Sequence, residues 1–451
     1  MSVYTSLVRG VLFPLHERLK QHDSPARLRE LERSQWLSPA EIRATQGRKL
    51  SAFMEDVAAH VPYYRDWFRR EGIDPSSIDD ASKLTALPLL TKPLIREHTE
   101  AMKAEDAGPL QRFNTGGSSG EPLVFYMGKG RVSHDVAAKW RATRWWDVDI
   151  GDPEIVLWGS PVELGRQDRM RQIRDTMIRS RLVPAFEMSP ANMDEFIRII
   201  RHYRPAMLFG YPSSTALLVQ HAQRSGQRLD DLGIKVAFVT SERLYPEQRK
   251  VIEEGVGCPV ANGYGGRDAG FIAHQCPAGG MHLSAEDIVV EIVDPEGNPL
   301  PPGEEGEIVT THLATRDFPF VRYRTGDVGV LSDEPCACGR GLPVFKEIMG
   351  RTTDFIVAAD GTVMHGLALI YIVRDLTSVK HFKIHQQSLE RTRLLLVVGD
   401  GYTDKDEAAI VSGFKQRLGA SVEIALEYMD EIPRERSGKF RYVVSDVSPL
   451  A

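Results

Sequence analysis

Cysteine is scarce in this sequence, with four in 451 residues. A scaffold held together by disulfides is therefore excluded, and a reducing, cytoplasmic setting is expected. Long apolar runs are missing too: nothing approaches the roughly 18 to 20 residues that a bilayer-spanning helix needs. The N-terminal Val11-Leu12-Phe13-Pro14-Leu15 is too short and too closely flanked by charge to read as an export signal. No charge of one sign dominates, since 56 Lys and Arg face 62 Asp and Glu for a net of −6. That balance argues against a protein that grips nucleic acid or a membrane through bulk charge, so a small-molecule partner is expected. Neither an internal repeat nor a low-complexity linker is visible. What is present is length and an ample apolar fraction, 42%, enough for two or three unlike domains. Oligomeric state is not legible, and a homodimer stays open.

The first hundred residues carry apolar positions at helical steps, such as Leu50, Phe53, Val57 and Val61, interrupted at Pro62. From residue 154 onward the texture changes. Short apolar runs (154–158, 207–209, 234–239) alternate with helical stretches through Leu217 and Val219 and after Pro246. That alternation predicts strand-helix-strand units and a mainly parallel sheet, whose ligands bind beyond the strand C-termini. Residues 286–311 are strand-rich, and Asp294-Pro295-Glu296-Gly297-Asn298 reads as a turn joining two strands of a hairpin. The last hundred residues read as a separate small α+β unit. Strands at 382–384 and 394–398 lead to a helix capped by Thr403, with Ile410, Val411, Phe414 and Leu418 on one face. Gly419 ends it before a strand at 422–426. The expected fold class is thus α/β: a large N-terminal domain of mainly parallel sheets flanked by helices with a β-rich subdomain, and a small mobile α+β C-terminal domain. The expected boundaries are 1–349 and 350–451.

Chemistry concentrates in a few motifs. Thr115, Gly116, Gly117, Ser118, Ser119 and Gly120 form a glycine- and hydroxyl-rich loop before the apolar run at 123–126. Glycines let backbone N–H groups turn toward an anion and the hydroxyls add donors, which suits a polyphosphate. It is not a Walker loop, because the Gly-Lys-Ser/Thr ending is missing. Five further segments follow in order: Thr240-Ser241-Glu242, Asn262-Gly263-Tyr264-Gly265-Gly266-Arg267-Asp268, Tyr323-Arg324-Thr325-Gly326-Asp327, Gly350-Arg351-Thr352-Thr353-Asp354 and Ser437-Gly438-Lys439. A third group is Cys276, His282, Cys336 and Cys338. Three thiolates and an imidazole are natural ligands for tetrahedral zinc, but Cys-x-Cys is tighter than a standard finger, and by spacing alone His274 rivals His282.

The six segments, in this order, resemble the adenylate-forming (AMP-dependent synthetase/ligase) superfamily. They are most similar to its phenylacetate-CoA ligase and coenzyme F390 synthetase-like, capsule-associated branch. Val61-Pro62-Tyr63-Tyr64-Arg65 and Leu87-Pro88-Leu89-Leu90-Thr91-Lys92 resemble that branch's N-terminal signatures. The resemblance spans nearly the whole chain. It implies an enzyme that joins an aromatic or other small carboxylic acid to the α-phosphate of ATP and then passes the acyl group to coenzyme A.

In the family's terms, residues 115–120 would hold the β- and γ-phosphates. Ser241 and Glu242 would line the nucleotide pocket, and Asn262, Tyr264 and Gly265 would border adenine and α-phosphate. Asp327 would accept hydrogen bonds from the ribose hydroxyls. Asp268 stands where the family usually has a glutamate serving Mg²⁺, and its side chain is shorter. Arg351 would bind ribose or phosphate near a hinge at Asp354, and Lys439 would bridge carboxylate and α-phosphate as the catalytic cation. Members of the branch carry a structural zinc on a Cys, a His and a Cys-x-Cys pair, which implies that Cys276, His282, Cys336 and Cys338 hold Zn²⁺.

Two departures bear on the chemistry. Residues 356–366 place their glycines differently from many CoA ligases, which leaves open an acceptor other than coenzyme A, or an adenylyltransferase. Arg267 replaces a small hydroxyl residue before the acidic position.

Overall fold

Proline and glycine punctuate the N-terminal helices of this computed structural model as the sequence leads one to expect. The structure describes residues 2–114, 123–158, 169–185, 188, 190–351, 355–360, 363–365, 367–374, 376–432 and 442–447. The helix Pro39–His60 opens on a capping box in which the Ser38 side chain and Glu41 satisfy each other's backbone N–H groups. Pro62 starts the next helix, Pro62–Glu71, which ends on Gly72 in the left-handed conformation. The chain forms two compact units, Met1–Thr325 with Gly329–Ile348, and Gly326–Val328 with Met349–Ala451.

The strands in chain order begin with β1 (Gln111–Asn114) and β2 (Val124–Met127), an antiparallel ribbon flanking the glycine-serine loop. Then come β3 (Glu154–Trp158), β4 (Ser180–Pro184), β5 (Met207–Gly210), β6 (Val236–Thr240), β7 (Val260–Gly266), β8 (Gly270–Gln275), β9 (Met281–Leu283), β10 (Ile288–Val293), β11 (Glu305–His312), β12 (Tyr323–Leu331) and β13 (Val344–Arg351). These eleven form one sheet in the order β10-β11-β12-β13-β9-β8-β7-β6-β5-β3-β4. From β4 to β7 it is parallel. It turns antiparallel at β7–β8, and β8–β9, β9–β13 and β10–β11 are antiparallel as well. The central parallel strands Met207–Gly210 and Val236–Thr240 are buried on both faces and accordingly read as short, mostly apolar runs. The expected hairpin is β10–β11. Its turn at Asp294 closes within a longer connection, because Val293 bridges to Pro299 before β11 begins.

The helix Lys129–Arg144 is tied to this sheet by a buried ion pair. Arg141 donates to Glu286 across 2.7 Å and to the Ser284 hydroxyl across 3.2 Å, and Glu286 accepts from Ser34 at 2.8 Å. Replacing Arg141 by methionine leaves the Glu286 carboxylate buried without its cation, and the expected loss is about 3–5 kcal/mol. Thermal unfolding of R141M will read it, and adding Glu286→Leu will restore most of the loss.

In the second unit, β14 (Phe355–Val357) pairs β15 (Val363–His365). β16 (Val379–Gln386), β17 (Arg391–Val398), β18 (Glu423–Tyr428) and β19 (Val443–Ser445) form a sheet in the order β18-β17-β16-β19. The helix Asp404–Leu418 opens on a Thr403–Asp406 capping box and packs Ile410, Phe414 and Leu418 against Phe382, Ile384, Leu394 and Leu396. The Gln386 side chain exchanges hydrogen bonds with the Val357 backbone at 3.0 and 2.6 Å and so anchors β14.

Candidate active site and metal centre

The parallel half of the sheet ends where two of the motifs meet. In the β6–β7 register Thr240 lies opposite Gly263, so Ser241 and Glu242 leave β6 beside the Asn262–Gly265 stretch of β7. Ser241 has φ of 70°, a left-handed conformation that costs a non-glycine residue about 1–3 kcal/mol and concentrates at functional sites. Glu242 accepts the Ser213 N–H at 3.2 Å, placing its carboxylate at the positive N-terminal end of the helix Pro212–Arg224. Asn262 donates its backbone N–H to the Gln275 side chain at 3.2 Å, and Tyr264 meets Phe345 edge to face. Gly265 sits at the irregularity in the β7–β8 register, where a Cβ would come within 2.1 Å of the Gly270 carbonyl oxygen, so no other residue fits.

The β7–β8 turn is held from three sides. Asp268 accepts a hydrogen bond from the Tyr323 hydroxyl at 2.7 Å and caps the Ala269 N–H at 3.1 Å. Arg267 donates to the Asn114 carbonyl at 3.3 Å, the last residue before the glycine-serine loop, and burial lowers the pKa of its guanidinium despite Asp268. Beneath the turn the buried Arg131 donates to the carbonyls of Arg267 and Asp268 at 3.2 and 3.3 Å and to both oxygens of Asp135. Burial opposes ionisation of Asp135, but the Arg131 cation together with His134 and His312 outweighs it and keeps the carboxyl well below the usual range.

His134, Asp135 and His312 converge as metal ligands could, yet their chemistry speaks for a polar support. The Ala314 N–H donates to His312 Nδ1 at 3.3 Å, which leaves the proton on Nε2, and burial holds that ring neutral with its pKa lowered to about 3. None of this support was legible as site residues. The available signal was Arg131 and Asp135 four apart on a helix beyond the loop.

The two N-terminal signatures turn out to brace the strand that carries Tyr323. Arg322, itself left-handed at φ of 50°, donates to the Leu87 carbonyl at 2.9 Å, to Gly297 at 2.8 Å and to both oxygens of buried Glu291. Leu90 then pairs with the Arg322 and Arg324 backbone at 2.9 and 3.0 Å. Tyr64 donates its hydroxyl to the Pro319 carbonyl at 3.2 Å.

The four candidate metal ligands come together: one donor atom each from Cys276, His282, Cys336 and Cys338 lies within 4.8 Å of the others. The sulfurs of Cys276 and Cys336 are 3.6 Å apart, too far for a disulfide bond and close to the edge of about 3.8 Å expected of two sulfurs on one zinc. His282 Nε2 lies 3.1 Å from the Cys338 sulfur while Nδ1 lies 3.2 Å from the Leu342 carbonyl. The Nδ1–H thus goes to the carbonyl and Nε2 presents its lone pair to the thiols, the orientation that metal-binding histidines adopt. Gly280 is required there, because a Cβ would lie 2.5 Å from the Cys336 sulfur. His274, the rival, faces the other way chemically: it stacks on Phe271, and neither ring nitrogen has a hydrogen-bond partner among the described residues. Around the cluster, Arg340 lies over the Trp36 and Trp145 rings and Gly341 donates to the Gln35 carbonyl, tying this corner to the N-terminal helices.

Thr115, Gly116, Gly117, Ser118, Ser119, Gly120, Asp354 and Lys439 lie outside the described residues. Asp327 belongs to the second unit, and Arg351 is the last residue of β13.

Residues 176–313 match the model of the AMP-binding enzyme family, and residues 356–446 match that of the CapK C-terminal domain. A phenylacetate-coenzyme A ligase of Thermus thermophilus is 24% identical over 89% of this chain and 96% of its own length. These likenesses together support a place among the adenylate-forming ligases, in the phenylacetate-CoA ligase-like branch. Protein CapK of Staphylococcus aureus is 21% identical over 98% of this chain and 96% of that protein. Among solved structures, 2-hydroxyisobutyryl-CoA ligase in its postadenylation state, with an acyl-AMP bound, superposes with a TM-score of 0.74 at 18% identity, covering 91% of each chain. That likeness establishes the adenylate-forming ligase fold. No helix among the described residues is long and apolar enough to cross a membrane.

Proposed function

We propose that this adenylate-forming ligase activates a small organic acid, an aromatic acid being the first candidate, through the residues gathered at the C-terminal ends of β6 and β7. The reaction is an AMP-forming CoA ligation. A carboxylate oxygen attacks the α-phosphorus of ATP, the bond to pyrophosphate breaks, and the acyl-AMP is then attacked by the thiol of coenzyme A, which expels AMP. The observation that carries the reading is the Arg267 bond to the Asn114 carbonyl, since it draws the turn bearing Asp268 to the strand that enters the glycine-serine loop.

In this reading residues 115–120 cradle the β- and γ-phosphates, and Ser241, Glu242, Asn262, Tyr264 and Gly265 border the nucleotide. Asp327 holds the ribose, and Lys439 and Arg351 meet the reacting charges. Asp268 serves Mg²⁺ with the lone pairs left after its bonds to Tyr323 and Ala269. Cys276, His282, Cys336 and Cys338 hold a structural Zn²⁺ that keeps the corner near Gln35 and Trp145 in place. Four protein ligands leave no open position for catalysis.

The test is exchange of labelled pyrophosphate into ATP across a panel of carboxylic acids. Exchange that depends on one acid class, followed by acyl-CoA formation when coenzyme A is added, is the expected result. ATP binding without exchange for any acid sinks the enzyme reading. Exchange without acyl-CoA reassigns the acceptor.

A further inference from the structure

The N-terminal helices bury one face and leave a second apolar face bare. Thr5, Val8, Phe13 and Glu17 point into the protein, Val8 and Phe13 packing against Leu28, Leu31, Trp140 and Ile150. On the other side Val3, Leu7, Val11, Leu15 and Leu19 recur every four residues, exposed by 90%, 46%, 54%, 54% and 77%. With Tyr4 they supply most of the large apolar side chains that the described residues expose. An α-helix turns about 100° per residue, so a four-residue step drifts around its surface. The wider π-helical turn at Val8–Leu12 takes back part of that drift and keeps the stripe straight over about 25 Å.

Beside the start of the stripe, at Tyr4, lies a basic stretch of this acidic chain. Residues 169–181 contain five arginines against one acid, and residues 1–20 contain Arg9, Arg18 and Lys20 against Glu17, while the whole chain carries −6. The two segments touch: Tyr4 donates to the Met177 carbonyl at 2.8 Å, and the Arg179 guanidinium lies 5.6 Å from the centre of the Tyr4 ring. Ile173, in the helix Arg169–Met177, is 69% exposed and adds to the apolar surface.

We propose that this face docks on an anionic lipid surface, with the stripe lying in the plane of the interface and the arginines against the headgroups. An exposed aliphatic stripe edged by cations is the chemistry of an interfacial helix. A second copy of the chain fits less well: a two-fold contact would set like charges against each other, and a four-residue repeat lacks the 3.5-residue period of a coiled-coil seam. The bulk charge of the chain concealed this patch from the sequence reading.

The experiment is flotation of the full-length protein with vesicles of phosphatidylcholine alone or with about 30% phosphatidylglycerol, run beside sedimentation without lipid. The expected result is flotation with the anionic vesicles only, weakened as salt rises from about 0.1 to about 0.5 M. The double variant Leu7→Asp, Leu15→Asp should lose at least about tenfold in bound fraction with its thermal melting and pyrophosphate exchange unchanged. The pair Arg18→Glu, Arg181→Glu should lose binding in the same way. Absence of flotation with anionic vesicles, flotation indifferent to the aspartates, or a wild-type dimer that the aspartates convert to monomer each overturns the proposal.

Discussion

Replacing Lys439 by alanine will lower carboxylate-dependent pyrophosphate exchange by about 10²- to 10³-fold or more, while acyl-CoA formation from a supplied acyl-adenylate survives. The first step brings two anions together, the acid and the α-phosphate, and its barrier is largely electrostatic. An ammonium on a flexible stem is compact enough to neutralise both as they meet. The second step needs no such bridge, because the phosphate charge is leaving with AMP. Lys439→Arg keeps the charge but swaps a point cation for a broad planar fork, so it should recover only a minor part of the exchange. Equal losses in both half-reactions would assign the lysine to nucleotide binding, and no loss would remove it from the chemistry.

The second large effect concerns the metal. Purified protein should contain one zinc per chain by mass spectrometry of the metal. Stripping it with a strong chelator, or replacing Cys336 and Cys338 by serine, should lower the melting temperature by at least about 5 °C. The affected contacts are specific, since Arg340, Trp145 and Gln35 interlock beside the four ligands. Exchange activity measured well below the melting temperature should fall much less than stability does. A protein free of metal, or one whose melting ignores the chelator, would leave the four side chains as reduced thiols and an ordinary histidine. Titration of the thiols is not needed to explain either outcome, because zinc displaces their protons.

Much of this arrangement could be seen in the residues before any coordinates, because the signals were local. The run at 154–158, the proline before 246–256 and the Thr403 cap each encode their element within a few residues, and each element formed there. Order along the chain then linked loops that no single motif would have identified. Choices that depend on strand register were not available. His274 and His282 are directly opposite each other on β8 and β9, so only the pairing of those strands with the two cysteine turns separates ligand from packed neighbour. The bracing residues escaped for a related reason. Arg131, Arg322 and Tyr323 each reach a partner more than fifty residues away, and a lone arginine in a helix or strand reads as surface charge.

The signature bonds carry a consequence for how the protein is made. Tyr64 waits for Pro319 and Leu87 for Arg322, spans of 255 and 235 residues. A chain emerging from the ribosome therefore completes its first helical layer only after Pro319 and Arg322 have been made. Until then the apolar sides of Tyr64, Leu84, Leu87 and Leu90 have no sheet to cover them. Such long-range closure slows folding and prolongs the window for aggregation, so soluble yield should depend on chaperone supply and on the rate of synthesis far more than the final stability would suggest.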